Sequence, residues 1–161
     1  MTAEGLSLQS CGEIWNEGHG GEYGYVDYAG DNPLTFGPYA GAGDSPYFCN
    51  ISVTNVSGAF EIGDLSKENS SGEMPCLAVD TANGEVVDDS VSACNQHDYE
   101  WDQWYAINTG KTYHSNTLWE FENAENGDCL TNYSGDGAAA VFVTCDTYPS
   151  YQYFAWPDSD L

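Results

Sequence analysis

One block of this chain occurs twice with its landmarks in the same order, and that limits the fold more than any other feature. Cys76-Leu77 precedes Cys94 by 18 residues, and Cys129-Leu130 precedes Cys145 by 16. Each second cysteine leads into a glutamine set among aromatics. The two stretches, Asp102-Gln103-Trp104-Tyr105-Ala106-Ile107 and Tyr151-Gln152-Tyr153-Phe154-Ala155-Trp156, align without a gap at a spacing of 49 residues. Pro46-Tyr47-Phe48-Cys49-Asn50-Ile51 fits the same frame, 56 residues before the second copy. In that first copy Tyr25-Val26-Asp27 takes the place of Cys-Leu, and Tyr39 that of the second cysteine. The chain reads as three copies of roughly 50 residues, about 5–58, 59–107 and 108–157, within a single domain, 1–161. A unit of this length cannot bury its own apolar face, so closure of three copies about a common axis is the natural route to a core.

Inside the copies the apolar runs are short: Phe60-Glu61-Ile62, Val86-Val87, Leu118-Trp119-Glu120-Phe121 and Val141-Phe142-Val143. Glycine and proline, 18 and 6 in number, punctuate them. Short β-branched or aromatic runs between turns predict an all-β sandwich or barrel. The 23 aromatics (6 Phe, 5 Trp, 12 Tyr) argue against the disorder that a strongly acidic chain can signal. Trp119 is expected in the core, and Gly18-His19-Gly20-Gly21-Glu22-Tyr23-Gly24 as a flexible connection in copy one.

Six cysteines without any Cys-x-x-Cys pair, and with His19, His97 and His114 scattered, fit disulfides better than zinc. Six allow fifteen pairings. The repeat selects Cys76–Cys94 and Cys129–Cys145, one within each later copy, which leaves Cys11–Cys49 for the first. Disulfides imply an oxidising, extracellular compartment. Export then requires a signal peptide outside this sequence, since Met1 runs straight into polar residues.

Charge excludes several partners. There are 26 acidic residues against 2 lysines and no arginine, a formal −24. Phosphate recognition needs clustered cations, so nucleic acid is excluded as a partner, and an anionic membrane would repel the chain. The longest apolar run, Ala138 to Val143, is too short to insert in a bilayer. Asp88-Asp89 and Asp98, Glu100, Asp102 lack the spacing of a calcium loop and read as solvated acidic surface. No metal or cofactor is expected. Neither is catalysis: in so acidic a chain a carboxylate pair arises without design, and no Gly-x-Ser-x-Gly elbow occurs. The four Asn-x-Ser triplets, at Asn50, Asn55, Asn69 and Asn132, suggest surface loops.

The Cys-Leu pairs, the second cysteines and the steps Gln103-Trp104-Tyr105 and Gln152-Tyr153-Phe154 resemble the ricin-type (Gln-x-Trp) lectin family. The resemblance is clear over about residues 59–156 and weak over 5–58. It implies a β-trefoil with four strands per repeat, and non-catalytic sugar binding in up to three shallow sites. In that family a carboxylate two residues after the first cysteine accepts sugar hydroxyls, and an aromatic two residues before the second stacks on the sugar face. Copies two and three hold Ala78 and Thr131, then Ser92 and Val143, at those places, and so look blind to sugar by the usual mode.

In copy one, with Tyr25 at the first cysteine position, Asp27 falls on the carboxylate position. Gly37 stands where the aromatic is expected, so Tyr28, Tyr39 or Tyr47 would have to supply the platform. The plainer alternative is that Asp27 belongs to the acidic surface and the tyrosines to the core. Gln103 and Gln152 are secondary candidates that also serve a structural role in the family. Trp101 lies in a loop where a trefoil tends to expose side chains. The expected function is binding of cell-surface glycans by a secreted module of the kind that serves as the targeting part of a larger assembly. The alternative is an adaptor or inhibitor that kept the trefoil, lost the sugar sites and meets a cationic protein surface.

Overall fold

The computed structural model describes residues 11–26, 33–37, 47–96 and 99–158. They form twelve strands, and no helix among them is long and apolar enough to cross a membrane. Six strands close into a barrel: β1 (Cys11–Asn16), β4 (Tyr47–Ser52), β5 (Phe60–Asp64), β8 (Trp104–Tyr113), β9 (Asn116–Asn123) and β12 (Phe154–Asp158). Each pairs antiparallel with the next, and β12 returns to β1, so the ring has no free edge. The other six form three hairpins: β2 (Glu22–Val26) with β3 (Leu34–Gly37), β6 (Cys76–Asp80) with β7 (Glu85–Asp89), and β10 (Asp128–Thr131) with β11 (Val141–Thr144).

The hairpins meet in a ring that locates the pseudo-threefold axis. Leu34, Val86 and Ala140 are fully buried at its centre. Val86 N–H donates to Ala140 O (2.9 Å), and Ala140 N–H to Leu34 O (2.7 Å). The residue before each of these pairs with the residue after the next: Pro33 with Val87, Glu85 with Val141, Ala139 with Thr35. A closed six-stranded barrel capped by three such hairpins is a β-trefoil.

The core joins barrel and cap. Phe60, Phe121, Phe154 and Trp156 pack ring to ring, with Phe36 reaching in from the cap. The buried indoles of Trp104 and Trp156 donate to Leu77 O and Phe48 O, so no polar cost attaches to their burial. Trp119 is buried in the same core. Each repeat carries one disulfide: Cys11–Cys49 across β1 and β4, Cys76–Cys94 from β6 to the helix α1 (Val91–Gln96), and Cys129–Cys145 from β10 to the residue after β11.

The glycine-rich stretch of copy one is tied down, contrary to the flexible connection expected. Gly18–Gly20 forms a 3-10 turn, in which any side chain on Gly18 would collide with Tyr151. The His19 ring stacks on Tyr151, and its Nε2 lies 3.0 Å from Tyr133 O and 3.1 Å from Asn132 O. Both partners are carbonyls, so Nε2 must carry the proton. Buried Glu22 accepts from Asn132 Nδ2 and from the Asp136 N–H. Two of the Asn-x-Ser asparagines, Asn50 and Asn132, are buried rather than on surface loops.

The repeat frame needs two corrections. Val26 faces the axis residue Leu34 as Val79 faces Val86, so Tyr23, not Tyr25, stands where Cys76 does. Tyr25 is then the counterpart of Ala78 and Thr131. Further, Trp104 pairs with Asn123 as Phe154 pairs with Asn16, which makes the structural spacing 154 − 104 = 50 residues, not 49. One residue separates the 3-10 turn from the strand in both copies, Gln103 before β8 and Tyr153 before β12, so Gln152 ends its turn (Pro149–Gln152) where Gln103 follows its own (Glu100–Asp102).

Candidate functional site

Among the described residues Trp101 is the exposed tryptophan, and Tyr47, Tyr99 and Tyr133 are exposed as well. Trp101 sits in a 3-10 turn, Glu100–Asp102, held from beneath by Asn123, whose Nδ2 donates to Trp101 O (2.9 Å) and Gln103 O (3.3 Å). The Asp102 N–H donates to Tyr99 O (3.0 Å) and closes the turn. The backbone is thus anchored while the indole stays 38 % exposed. It forms one wall of a cleft of about 350 Å³ lined by Ala78, Val79, Asp80, Thr81, Val87, Asp89, Trp101 and Asp102. Most of that lining comes from hairpin β6–β7, and Ala78 is the place where the ricin-type resemblance expects a carboxylate.

The cleft gets its carboxylates from neighbouring positions. Asp80 Oδ2 accepts from Asn83 Nδ2 (2.8 Å) and Oδ1 from the Ala82 N–H (3.0 Å). The Asn83 bond, with these backbone donors, holds the Asp80 carboxyl below the usual carboxylate range, so it stays an anion. Asp89 Oδ1 accepts from the Ser90 N–H (2.8 Å), while Asp102 is buried at the cleft wall. An aromatic face beside fixed anionic acceptors is the chemistry that holds a polyhydroxylated ring: its C–H face stacks and its hydroxyls donate.

The other candidates fall elsewhere. Asp27, Tyr28 and Tyr39 lie outside the described residues. Tyr47 is 48 % exposed on β4, opposite Glu13, and does not line the cleft. Gln103 and Gln152 are fully buried fasteners. Gln103 Nε2 donates to Asn55 Oδ1 (2.8 Å); Gln152 Nε2 donates to Thr131 Oγ1 (3.0 Å) and Thr144 O (3.1 Å). Sequence reasoning passed over Asp80 and read Asp89 only as solvated acidic surface, because only the turn that brings Trp101 against the hairpin makes them neighbours. Cys76, Cys94 and Asp102 bring donor atoms within 4.8 Å of one another, but the two sulfurs are bonded together and offer no thiolate to a metal.

The acidic residues do not all face water. Asp88 is buried where a solvated surface was expected, because strand alternation turns it inward and Asp89 outward. Glu120 is buried too: burial, then the adjoining Asp146 carboxyl, push it up to about 7. Its Oε2 accepts from the Asp146 N–H (3.2 Å). A carboxyl raised in the folded state contributes stability that is fully present below its unfolded value and is lost as pH rises through its folded value. Glu120→Gln should therefore flatten the fall in thermal stability between about pH 5 and 7.5, measured by melting across that range. An unchanged slope would remove Glu120 from the account.

Solved structures share the architecture. A designed threefold-symmetric protein, ThreeFoil, matches with a TM-score of 0.64 at 16 % identity over 91 % of this chain and 99 % of its own. An endo-β-galactosidase from Clostridium perfringens that releases GlcNAcα1-4Gal matches at 0.66 and 12 % identity, over 96 % of this chain and 34 % of its own. A mosquitocidal holotoxin matches at 0.65 and 13 %, over 96 % of this chain and 18 % of its own. The likeness is one of fold. No protein-family model matches the sequence, and no curated protein is significantly similar to it. The chain spans about a third of the galactosidase and under a fifth of the holotoxin.

Proposed function

We propose that this protein is a secreted, non-catalytic, ricin-type trefoil that binds cell-surface glycans, with its site at the Trp101 cleft. The observation that carries the reading is an anchored, exposed Trp101 that lines a cleft of about 350 Å³ together with Asp80 and Asp89. The resemblance in sequence supports the ricin-type kinship. Two structural neighbours are far longer chains, a glycosidase and a toxin, which supports a role as the targeting part of an assembly. Three disulfides support an extracellular setting. Anionic carboxylates at the cleft favour neutral sugars over sialylated or sulfated ones.

A cationic protein partner is the second reading. Its specific support is a hollow of about 360 Å³ beside Cys11–Cys49, lined by Glu61, Glu68 and Glu73 with Ile51, Leu65 and Met74. Salt separates the two. Neutral sugar is held by stacking and hydrogen bonds, so its affinity should change less than about twofold between 50 and 500 mM NaCl. A basic partner should lose at least about tenfold over that range. Loss of sugar binding in Asp27→Ala, with Trp101→Ala unaffected, would move the site to copy one.

A further inference from the structure

Asp64 and Asp88 are buried side by side, Asp64 fully and Asp88 with 3 % exposure. Asp64, at the end of β5, uses Oδ1 to accept from Ser66 N–H (3.1 Å) and Ser66 Oγ (2.6 Å). Its Oδ2 and the Asp88 Oδ1 have no hydrogen-bond donor, although the Asp64 carboxyl lies within hydrogen-bonding reach of Asp88. One cation attends them: Lys67 Nζ, 3.1 Å from Asp88 Oδ2. Two buried carboxylates, one ammonium and unsatisfied oxygens are resolved most simply by a proton held between the acids.

The sister repeats show that the fold does not require this pair. By register, Asn16 and Asn123 occupy the place of Asp64, each opposite the first buried aromatic of a barrel strand. Counting from the axis residues, Phe36 and Phe142 occupy the place of Asp88. The second repeat alone puts acids at both positions. The groups bearing on Asp88 are Asp64 from β5 and Lys67 from the turn Leu65–Lys67. On its own hairpin Leu77 lies opposite, Asp89 points away, and Asp80 and Glu85 pair at the far end. The flanking strands β3 and β11 carry no charged residue.

We propose that Asp64 and Asp88, bridged by one proton beside Lys67, form a pH-sensitive latch that fastens hairpin β6–β7 to the barrel. Because that hairpin carries most of the Trp101 cleft, the latch sets how firmly the cleft is built, but it stands whether or not the cleft binds sugar. Burial, then the hydrogen bond and charge of Asp64, push the Asp88 carboxyl up to about 8, with Lys67 pulling the other way. The latch is closed in acid and opens as pH rises through that value, when two adjacent anions share one ammonium.

Hydrogen exchange on the full chain, corrected for intrinsic rates, tests this segment by segment. In the wild type, protection of β6 and β7 amides should fall about tenfold more between pH 6 and 9 than protection of β8 and β9. Asp64→Asn, which installs the sister-repeat residue, and Asp88→Asn should each cut that excess to about twofold or less. No excess fall in the wild type, or the same fall in both variants, would overturn the proposal. So would failure of both variants to fold at pH 5, since the acids would then be part of the scaffold.

Discussion

Reducing the three disulfides should unfold this protein at room temperature and neutral pH. The bridges span 38, 18 and 16 residues, and the loop-entropy estimate gives about 3–4 kcal/mol for each. Together they match the about 5–15 kcal/mol by which an ordinary domain is stable. Their placement compounds the effect. Cys11–Cys49 fastens β1 to its barrel neighbour β4, and each of the others fastens a cap hairpin to the segment that leads back to the barrel. A formal charge of −24 works against compaction once the crosslinks are gone. Near-ultraviolet dichroism of the buried tryptophans, before and after treatment with a phosphine reductant, reads the result. Loss of that signal is expected; a reduced protein melting within about 5 °C of the oxidised one would show that the barrel stands alone.

Truncating the exposed indole should remove sugar binding while leaving the fold intact. Trp101 is fixed through its carbonyl by Asn123, and the turn around it is closed by the Asp102 N–H on Tyr99 O, so Trp101→Ala loses the platform without loosening the turn. Central aromatic anchors typically contribute about 2 kcal/mol or more, which corresponds to a loss of about 30-fold in affinity. Trp101→Phe keeps a stacking face and should retain most of the binding. Gln103→Ala makes a useful contrast. That side chain is buried on Asn55, so its removal should lower the melting temperature rather than strip a sugar contact.

Most of the fold can be read in the sequence because the repeat is marked by cysteines. Cys76, Cys94, Cys129 and Cys145 set the frame for copies two and three, and the remaining pair follows. Copy one lacks those marks at the matching positions, and there the frame slips by two. Among Tyr23, Tyr25 and Tyr28 the sequence alone offers no reason to choose; the axial contact of Leu34 with Val86 and Ala140 does. The one-residue offset of Gln152 is invisible for a similar reason, since it looks like Gln103 yet ends its 3-10 turn where Gln103 follows its own. Alternation along β7 could have exposed Asp88 as an inward residue, but a run of two acids reads as surface until the strand's register is known.

The cleft was legible only in part. Trp101 stands out as an aromatic among acids in a loop, yet Asp80 and Asp89 gain meaning only when the turn at Glu100–Asp102 lies against the hairpin. Ala78, read as a missing anchor, lies in the lining of that same cleft, with the charge displaced to either side of it. A degenerate binding position and a rearranged one are the same string of letters until the chain is folded.

The most direct test of the central claim is a glycan array probed with the wild type, Trp101→Ala and Trp101→Phe side by side. The account predicts binding to neutral glycans by the wild type, retention in the Phe variant and loss in the Ala variant, with melting temperatures unchanged. Glycan binding that survives Trp101→Ala at full strength would contradict the cleft assignment. A wild type that ignores every glycan but captures basic proteins in a salt-sensitive way would contradict the function itself.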